Sequence, residues 1–272
     1  MTQNIAFIGA GNLASSIISG LLSQAYPKDN IRASARTESS VKALASKHGI
    51  ATSTNNGEIA RDADIIVLAV KPQVMKIACE DIREFASSKA LIVSVAAGIT
   101  CASIRHWLGN SLAIVRSMPN TPTQVLEGAI GLYANEQTNT QQKQQAESIL
   151  AAVGTCCWVE EESLLDTVTA VAGSGPAYFF LFIESMIDAA VAQGLDKETA
   201  RTLSLQTAFG AAKLARESGL DIAELRRRVT SPKGTTEQAI LSFERDNLRQ
   251  TVTNAMQACR ERAQELATEQ AP

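Results

Sequence analysis

Histidine is nearly missing from this chain: His48 and His106 are the only two in 272 residues. Neither lies near a cysteine or carboxylate cluster with ligand spacing, which argues against a metal centre. Cysteine is sparse too. The five include the adjacent pair Cys156-Cys157 but no C-x-x-C, and their number is odd. That pattern speaks against a disulfide framework and reads as reduced thiols in the cytoplasm. A catalytic thiol would need a neighbouring histidine, and no spacing offers one. Charge of one sign is also lacking. A net charge of -3 gives neither nucleic acid nor an anionic membrane surface a reason to bind. Met1-Thr2-Gln3-Asn4 has no basic n-region, and the first apolar run is far too short for a signal peptide. No repeats occur, and low complexity is limited to the glutamine-rich stretch Gln141 to Gln145. What is present is a composition of 45% hydrophobic and 19% charged residues. Such a chain can bury a sizeable core, and its length suits two domains.

The most informative stretch runs from Asn4 to Leu22. Ile5-Ala6-Phe7-Ile8 is a short apolar run, Gly9-Ala10-Gly11-Asn12-Leu13-Ala14 follows, and Ile17, Ile18, Leu21 and Leu22 have helical spacing. This reads as strand, tight turn and helix. Gly9 permits the sharp turn, Gly11 has no Cβ to block a pyrophosphate, and Ala14 still lets helix and strand pack closely. The phosphates would sit on free N–H groups at the positive helix end. A plain structural turn is the competing reading, and the position between strand and helix favours the dinucleotide site.

Ile31 to Thr37 reads as a second strand entering its loop. An acid at this strand end would bind the ribose 2′-hydroxyl of NAD, whereas an arginine accommodates a 2′-phosphate. The loop offers Ser34, Arg36 and Thr37, with no acid until Glu38, so NADP is expected. A solvated loop arginine is the alternative. Glu38 to Lys47 has helical spacing with Gly49 as its stop, and Asn55-Asn56-Gly57-Glu58 opens a short helix. Asp64 to Val70 and Leu91 to Val95 are unbroken apolar runs, the mark of strands buried on both faces. The first ends at Lys71-Pro72 and the second at Ala96-Ala97-Gly98. Val70 and Lys71 therefore face the cofactor crevice on the nicotinamide side, and the small residues Ala96 and Ala97 let a flat ring approach. Helices over 73–86 and 101–108, a strand over 112–116 and a proline-bracketed loop, Met118 to Pro122, follow. Gly128 to Tyr133 is short and apolar, 141–150 reads as a helix, and 153–159 as a final strand. Alternation of this kind predicts an α/β fold with a doubly wound parallel sheet and right-handed crossovers. The boundary is expected near Glu160-Glu161-Glu162, giving domains 1–160 and 161–272.

After Ser163 the strand pattern stops. Leu164 to Val171 and Ala177 to Val191 are strongly apolar around Gly173-Ser174-Gly175-Pro176. Asp166, Glu184, Asp188 and the glycine–proline break argue against a membrane span. A helix buried in a core or against a second subunit is expected instead. Helices over 197–217 and 221–229, a hydroxyl-rich loop over 230–236, and helices over 237–243 and 248–266 complete an all-α region. Val252, Ala255, Met256, Cys259 and Ala263 line one face of the last helix, which suits packing against another.

Five motifs occur in order: Gly9 to Ala14, Ala69-Val70-Lys71-Pro72, Arg116 to Pro122, Gly173-Ser174-Gly175-Pro176-Ala177-Tyr178, and Ser231-Pro232-Lys233-Gly234-Thr235-Thr236. Together they closely resemble the pyrroline-5-carboxylate reductase family, across essentially the whole chain. The resemblance implies an N-terminal Rossmann domain followed by an all-α dimerisation domain. It also implies reduction of 1-pyrroline-5-carboxylate to L-proline with hydride from NADPH (NADH being the alternative), the last step of proline synthesis. Active sites shared in a homodimer, and often a ring of dimers, are further implications, with neither nucleic acid nor membrane as partner. Asn12, Leu13, Asn56 and Ala69 join Gly9, Gly11, Ser34, Arg36, Val70, Lys71, Ala96 and Ala97 as expected cofactor contacts. By the same resemblance Thr236 is the group at the imine nitrogen. Ser231, Gly234 and Thr235 hold the substrate carboxylate with it, and Glu162 matches a substrate-proximal acid. Two positions depart from the family pattern. Lys233 stands where glycine is common, and Arg228 where some members carry an amide, so that contact is not carried over.

The chemistry asked of the protein is modest, because a protonated imine is already electrophilic and the cofactor carries the hydride. The protein must align the two carbons, bind the carboxylate and place a hydrogen-bonding group at the ring nitrogen. Two other readings compete. β-Hydroxyacid dehydrogenases share the architecture but carry a catalytic lysine four residues after the second glycine of a motif like Gly173-Ser174-Gly175; Phe179 stands there. A non-catalytic NADP-sensing protein would not need the intact Ser231 to Thr236 loop.

Overall fold

The computed structural model describes residues 3–109 and 112–270. Eight strands form one sheet in the order β3-β2-β1-β4-β5-β6-β7-β8, with β1 Ile5–Ile8, β2 Ile31–Ser34, β3 Ala51–Ser53, β4 Ile65–Leu68, β5 Leu91–Ser94, β6 Ala113–Met118, β7 Gly128–Ala134 and β8 Gly154–Trp158. β1 to β6 are parallel and β7 is antiparallel to β6, while β8 is parallel to β7. The sheet is mostly parallel, as a doubly wound fold requires, and β7 reverses for a simple reason. The connection from Met118 to Gly128 holds only a 3₁₀ turn, Thr121–Val125, too short for the crossover that a parallel pair needs.

The unbroken apolar runs follow from burial on both faces. On β1, Ile5 and Phe7 join one core while Ala6 and Ile8 join the other. On β4, Ile65 and Val67 alternate in the same way with Ile66 and Leu68. Each buried Ile, Leu, Val or Phe among them contributes about 1.5–3 kcal/mol of apolar burial. Helices α1 Asn12–Ser23, α2 Glu38–His48, α3 Asn56–Ala60, α4 Met75–Ile82, α5 Cys101–Leu108 and α6 Thr140–Ala151 cover these faces. Their starts are chemically marked: the side chains of Thr37, Asn55, Thr100 and Asn139 each accept a first-turn N–H. Gly49 stops α2 in the left-handed conformation, φ 67°. The helix expected over 73–86 is shorter, since Pro72–Val74 forms a 3₁₀ turn ahead of α4. β3 was not anticipated; it has three residues on a half-exposed edge.

The helical region contains α7 Leu164–Val168, a π turn at Thr169–Gly173, α8 Gly175–Ala192, α9 Lys197–Glu217, α10 Ile222–Arg228, α11 Thr235–Arg245 and α12 Leu248–Glu269. By compactness the chain divides into Met1–Ser174 with Cys259–Pro272, and Gly175–Ala258. In the second unit Phe182 and Phe243 pack with ring centroids 6.1 Å apart. Yet Phe179, Phe180, Leu181, Leu203 and Phe209 are exposed, so α8 is not buried within its own chain. By length and composition alone, Leu164–Ala192 would also be able to cross a bilayer.

Candidate active site

The glycine turn is dictated by the strand beside it. Gly9 adopts φ +99°, and a Cβ there would lie 2.7 Å from Val70 Cγ1 and 2.9 Å from the Ala69 carbonyl. Only glycine permits both the conformation and the contact. A Cβ on Gly11, by contrast, would meet nothing within 4 Å. Gly11 caps α1 with no side-chain acceptor, which leaves first-turn N–H groups without a capping side chain. The positive end of α1 and an unobstructed backbone are what a pyrophosphate requires. Asn12 is exposed and Leu13 half-buried at this mouth.

At the end of β2, Ser34 is fully buried. Its hydroxyl accepts from the Gly9 N–H at 3.3 Å and donates to Asn56 Oδ1 at 2.7 Å. Asn56 in turn donates to Asp81 Oδ2 at 2.9 Å. A buried, committed Ser34 hydroxyl couples the glycine turn to Asn56 instead of standing free for a phosphate. Arg36 is exposed, with no hydrogen bond or ion pair among the described residues. Arg36 is thus the group with freedom to reach a 2′-phosphate.

Past the strand ends lies a cleft of about 370 Å³, lined by Pro72 after β4, Ala96, Ala97 and Gly98 after β5, and Arg116 to Met118 of β6. Leu165, Asp166 and the α12 residues Ala263 and Leu266 close it. Val70 is half-buried against Gly9, and Lys71 points outward at the start of the 3₁₀ turn. Ala69 donates to the Ile8 carbonyl at 2.8 Å, which seats the β4 end on β1.

Glu162 is held by two donors on one oxygen. Its Oε1 accepts from Arg116 Nη1 at 2.7 Å and from the Cys101 N–H, in the first turn of α5, also at 2.7 Å. The carboxylate therefore ties β6, the start of α5 and the approach to α7 together. Burial pushes the Cys101 thiol strongly up, with the Glu162 carboxylate adding to the shift, so this sulfur stays protonated. Burial also raises Asp166, against the opposing pull of Arg116 and Arg260.

In the second unit, Ser231 to Thr236 turns into α11. Gly234 is the N-cap, Thr235 and Thr236 are the first two helical residues, and all three hydroxyl residues of the loop are exposed. The Gly234 N–H donates to the Ser231 carbonyl at 3.0 Å. Lys233 takes φ 61° and donates its N–H to Glu237 Oε2 at 2.8 Å. A left-handed residue costs about 1–2 kcal/mol for most L side chains, which explains a preference for glycine here. Arg228 is paired with Glu224 at 2.9 Å. Glu162 sits in the first unit and the hydroxyl loop in the second.

Residues 162–266 match the model for pyrroline-5-carboxylate reductase dimerisation, and residues 4–98 that for NADP oxidoreductase, coenzyme F420-dependent. A pyrroline-5-carboxylate reductase of Pseudomonas aeruginosa is 49% identical over 266 residues, 98% of this chain and 97% of the relative. The chain belongs to the pyrroline-5-carboxylate reductase family. The reductase of Vibrio alginolyticus is 43% identical over 265 residues, 97% of each chain. The solved Coxiella burnetii pyrroline-5-carboxylate reductase superposes with a TM-score of 0.95 at 44% identity, covering 98% of this chain and 99% of the other. A Plasmodium falciparum pyrroline carboxylate reductase with NADP bound superposes at 0.84 and 30% identity, covering 97% and 98%.

Family membership accounts for the exposed apolar face of α8 and α9, which falls within the matched dimerisation segment. Two residues that line the cleft were given no site role by the sequence reading. Arg116 was visible as the lone charge of an apolar strand, and Asp166 as an acid inside an apolar run. Neither had a partner that spacing could reveal.

Proposed function

We infer that this chain is an NADPH-dependent reductase that converts 1-pyrroline-5-carboxylate to L-proline. The observation that carries the reading is the glycine turn with an open α1 start, in a chain alike end to end with named reductases. When bound, NADPH supplies the hydride to the imine carbon. Gly9, Gly11, Asn12 and Leu13 cradle the pyrophosphate, and Arg36 holds the 2′-phosphate. Ser34 acts through Asn56, and Ala69, Val70, Lys71, Ala96 and Ala97 line the nicotinamide side.

The hydroxyl loop does the rest. N–H groups from Gly234 to Thr236, with the Ser231 hydroxyl, hold the substrate carboxylate at the start of α11. Thr236 hydrogen-bonds the ring nitrogen as charge moves during hydride transfer. Glu162 positions Arg116 and α5 close to the substrate. Functionally, 1–160 binds cofactor, and 161–272 dimerises and binds substrate. The enzyme works in the cytoplasm as a homodimer, assembled further into a ring, without nucleic acid or membrane. Following NADPH oxidation with pyrroline-5-carboxylate against its six-membered homologue tests this directly. Turnover with neither would overturn the reading; faster turnover of the six-membered ring would reassign the substrate.

A further inference from the structure

The cleft at the ends of β4, β5 and β6 has most of its polar groups engaged. Ser117 donates to the Ser94 carbonyl at 2.9 Å, and Thr169 to the Leu165 carbonyl at 2.8 Å. Cys259 lies 3.2 Å from the Ser174 hydroxyl, and Arg262 is paired with Glu265 and Glu269. Two acceptors and one donor, the buried Arg116 Nε, are left over. Asp166, half-buried, makes no side-chain hydrogen bond among the described residues, and Gln270 Oε1 is buried without a donor. Ala96, Ala97, Met118 and Leu266 supply flat apolar surface beside them. A cleft with apolar walls, unmatched acceptors and an unmatched N–H suits an apolar ring that carries a carboxamide, with N–H donors and a carbonyl acceptor.

In a doubly wound sheet the dinucleotide crosses at the switch point between β1 and β4, and its far half continues over the later strand ends. The pyrophosphate end is marked by Gly9 and Gly11. The cleft over β4 to β6 is therefore on the nicotinamide side. We propose that Asp166 is the acceptor for the carboxamide N–H of the nicotinamide ring. The inference rests on the NADPH-dependent reading above. The groups facing Asp166 are Arg116 from β6, Arg260 from α12 and Glu162 ahead of α7. Burial works against the charged form, and an N–H donor from the ligand compensates for it. Gln270 stands as a second acceptor for the other amide proton.

Binding measured by calorimetry, without turnover, tests this. NADPH, its 3-acetylpyridine analogue, in which a methyl replaces the amide nitrogen, and 2′-phospho-ADP-ribose, which lacks the ring, are titrated into the full-length protein. The native protein should bind the analogue about tenfold more weakly than NADPH. Asp166→Ala should weaken NADPH by a similar factor, leave 2′-phospho-ADP-ribose unchanged and abolish the gap between NADPH and the analogue. Asp166→Asn, which keeps a carbonyl acceptor, should hold NADPH within about threefold. Equal native affinity for NADPH and the analogue overturns the proposal even if Asp166→Ala does not fold. So does a gap that survives Asp166→Ala, or an equal loss for all three ligands. If native protein binds neither NADPH nor 2′-phospho-ADP-ribose, the fault lies in the NADPH reading itself.

Discussion

Removing Glu162 should cost more than removing the arginine it pairs with, and the asymmetry follows from which charge is left behind. The Arg116 side chain is 9% exposed and that of Glu162 28%. Glu162→Ala strands a buried guanidinium whose Nε already lacks a partner, and it also takes the acceptor from the Cys101 N–H. Breaking a buried pair by deleting one partner costs about 3–5 kcal/mol; Glu162 is partly wet, so about 3 kcal/mol is expected. Arg116→Met leaves a carboxylate with some water and one N–H donor, and should cost about 1–2 kcal/mol. The double variant should be less destabilised than the sum by about 1–2 kcal/mol, because the stranded charge is gone. At about 2–4 °C per kcal/mol for a chain of this size, Glu162→Ala should melt roughly 6–12 °C early. The assay is thermal or urea unfolding of the four proteins without NADPH, at one fixed concentration since the chain assembles. Glu162→Ala no worse than Arg116→Met, or strictly additive costs, would refute the argument.

Arg36→Ala should raise the NADPH Michaelis constant tenfold or more, since a charge-assisted phosphate contact is worth about 1.5–3 kcal/mol, and leave NADH nearly unchanged; equal loss with both cofactors removes the assignment. Thr236→Ala should cut kcat by roughly ten- to a thousandfold while melting normally, because Gly234 and not Thr236 caps α11. Thr236→Ser should keep much of the activity; full kcat in the alanine variant at 25 °C would end the mechanistic role. Phe209→Glu, on a residue 64% exposed in the single chain, should shift sedimentation toward monomer by burying an unpaired charge at the subunit contact; an unchanged oligomer would place the interface elsewhere. Asp166 is raised by burial, so its ionisation opposes folding as pH rises through its folded value, and none of that cost is present below its unfolded value. Asp166→Asn should accordingly melt higher than the native protein at neutral pH and equally at strongly acid pH; a difference independent of pH contradicts the sign.

What could be read in advance was what local chemistry determines. Buried strands announced themselves because both faces of the sheet are covered, so Ile65 to Leu68 and Leu91 to Ser94 contain no polar residue until Ser94. The start of α3 was legible through Asn55, whose side chain accepts a first-turn N–H. The glycine turn was legible because Gly9 has to be glycine, being in contact with Ala69 and Val70. β3 was missed because three half-exposed residues carry no periodicity. The reversal at β7 was missed because strand direction depends on the length and path of a connection, and an apolar run looks the same in either direction.

The site divides along the same line. Arg36 and the hydroxyl loop are proposed from position within a motif, since each lies within a few residues of the strand end or helix start that presents it. Glu162 meets Arg116 across 46 residues and Cys101 across 61, distances over which spacing holds no information. Ser34 shows the converse. Its place at the end of β2 suggested a phosphate contact, but residue type cannot tell an exposed hydroxyl from a buried one bonded to Gly9 and Asn56. Ser34, at 0% exposure, is bonded to the turn, whereas Arg36, two residues later, is exposed. Assigning roles to the two therefore required the burial that only the folded sheet supplies.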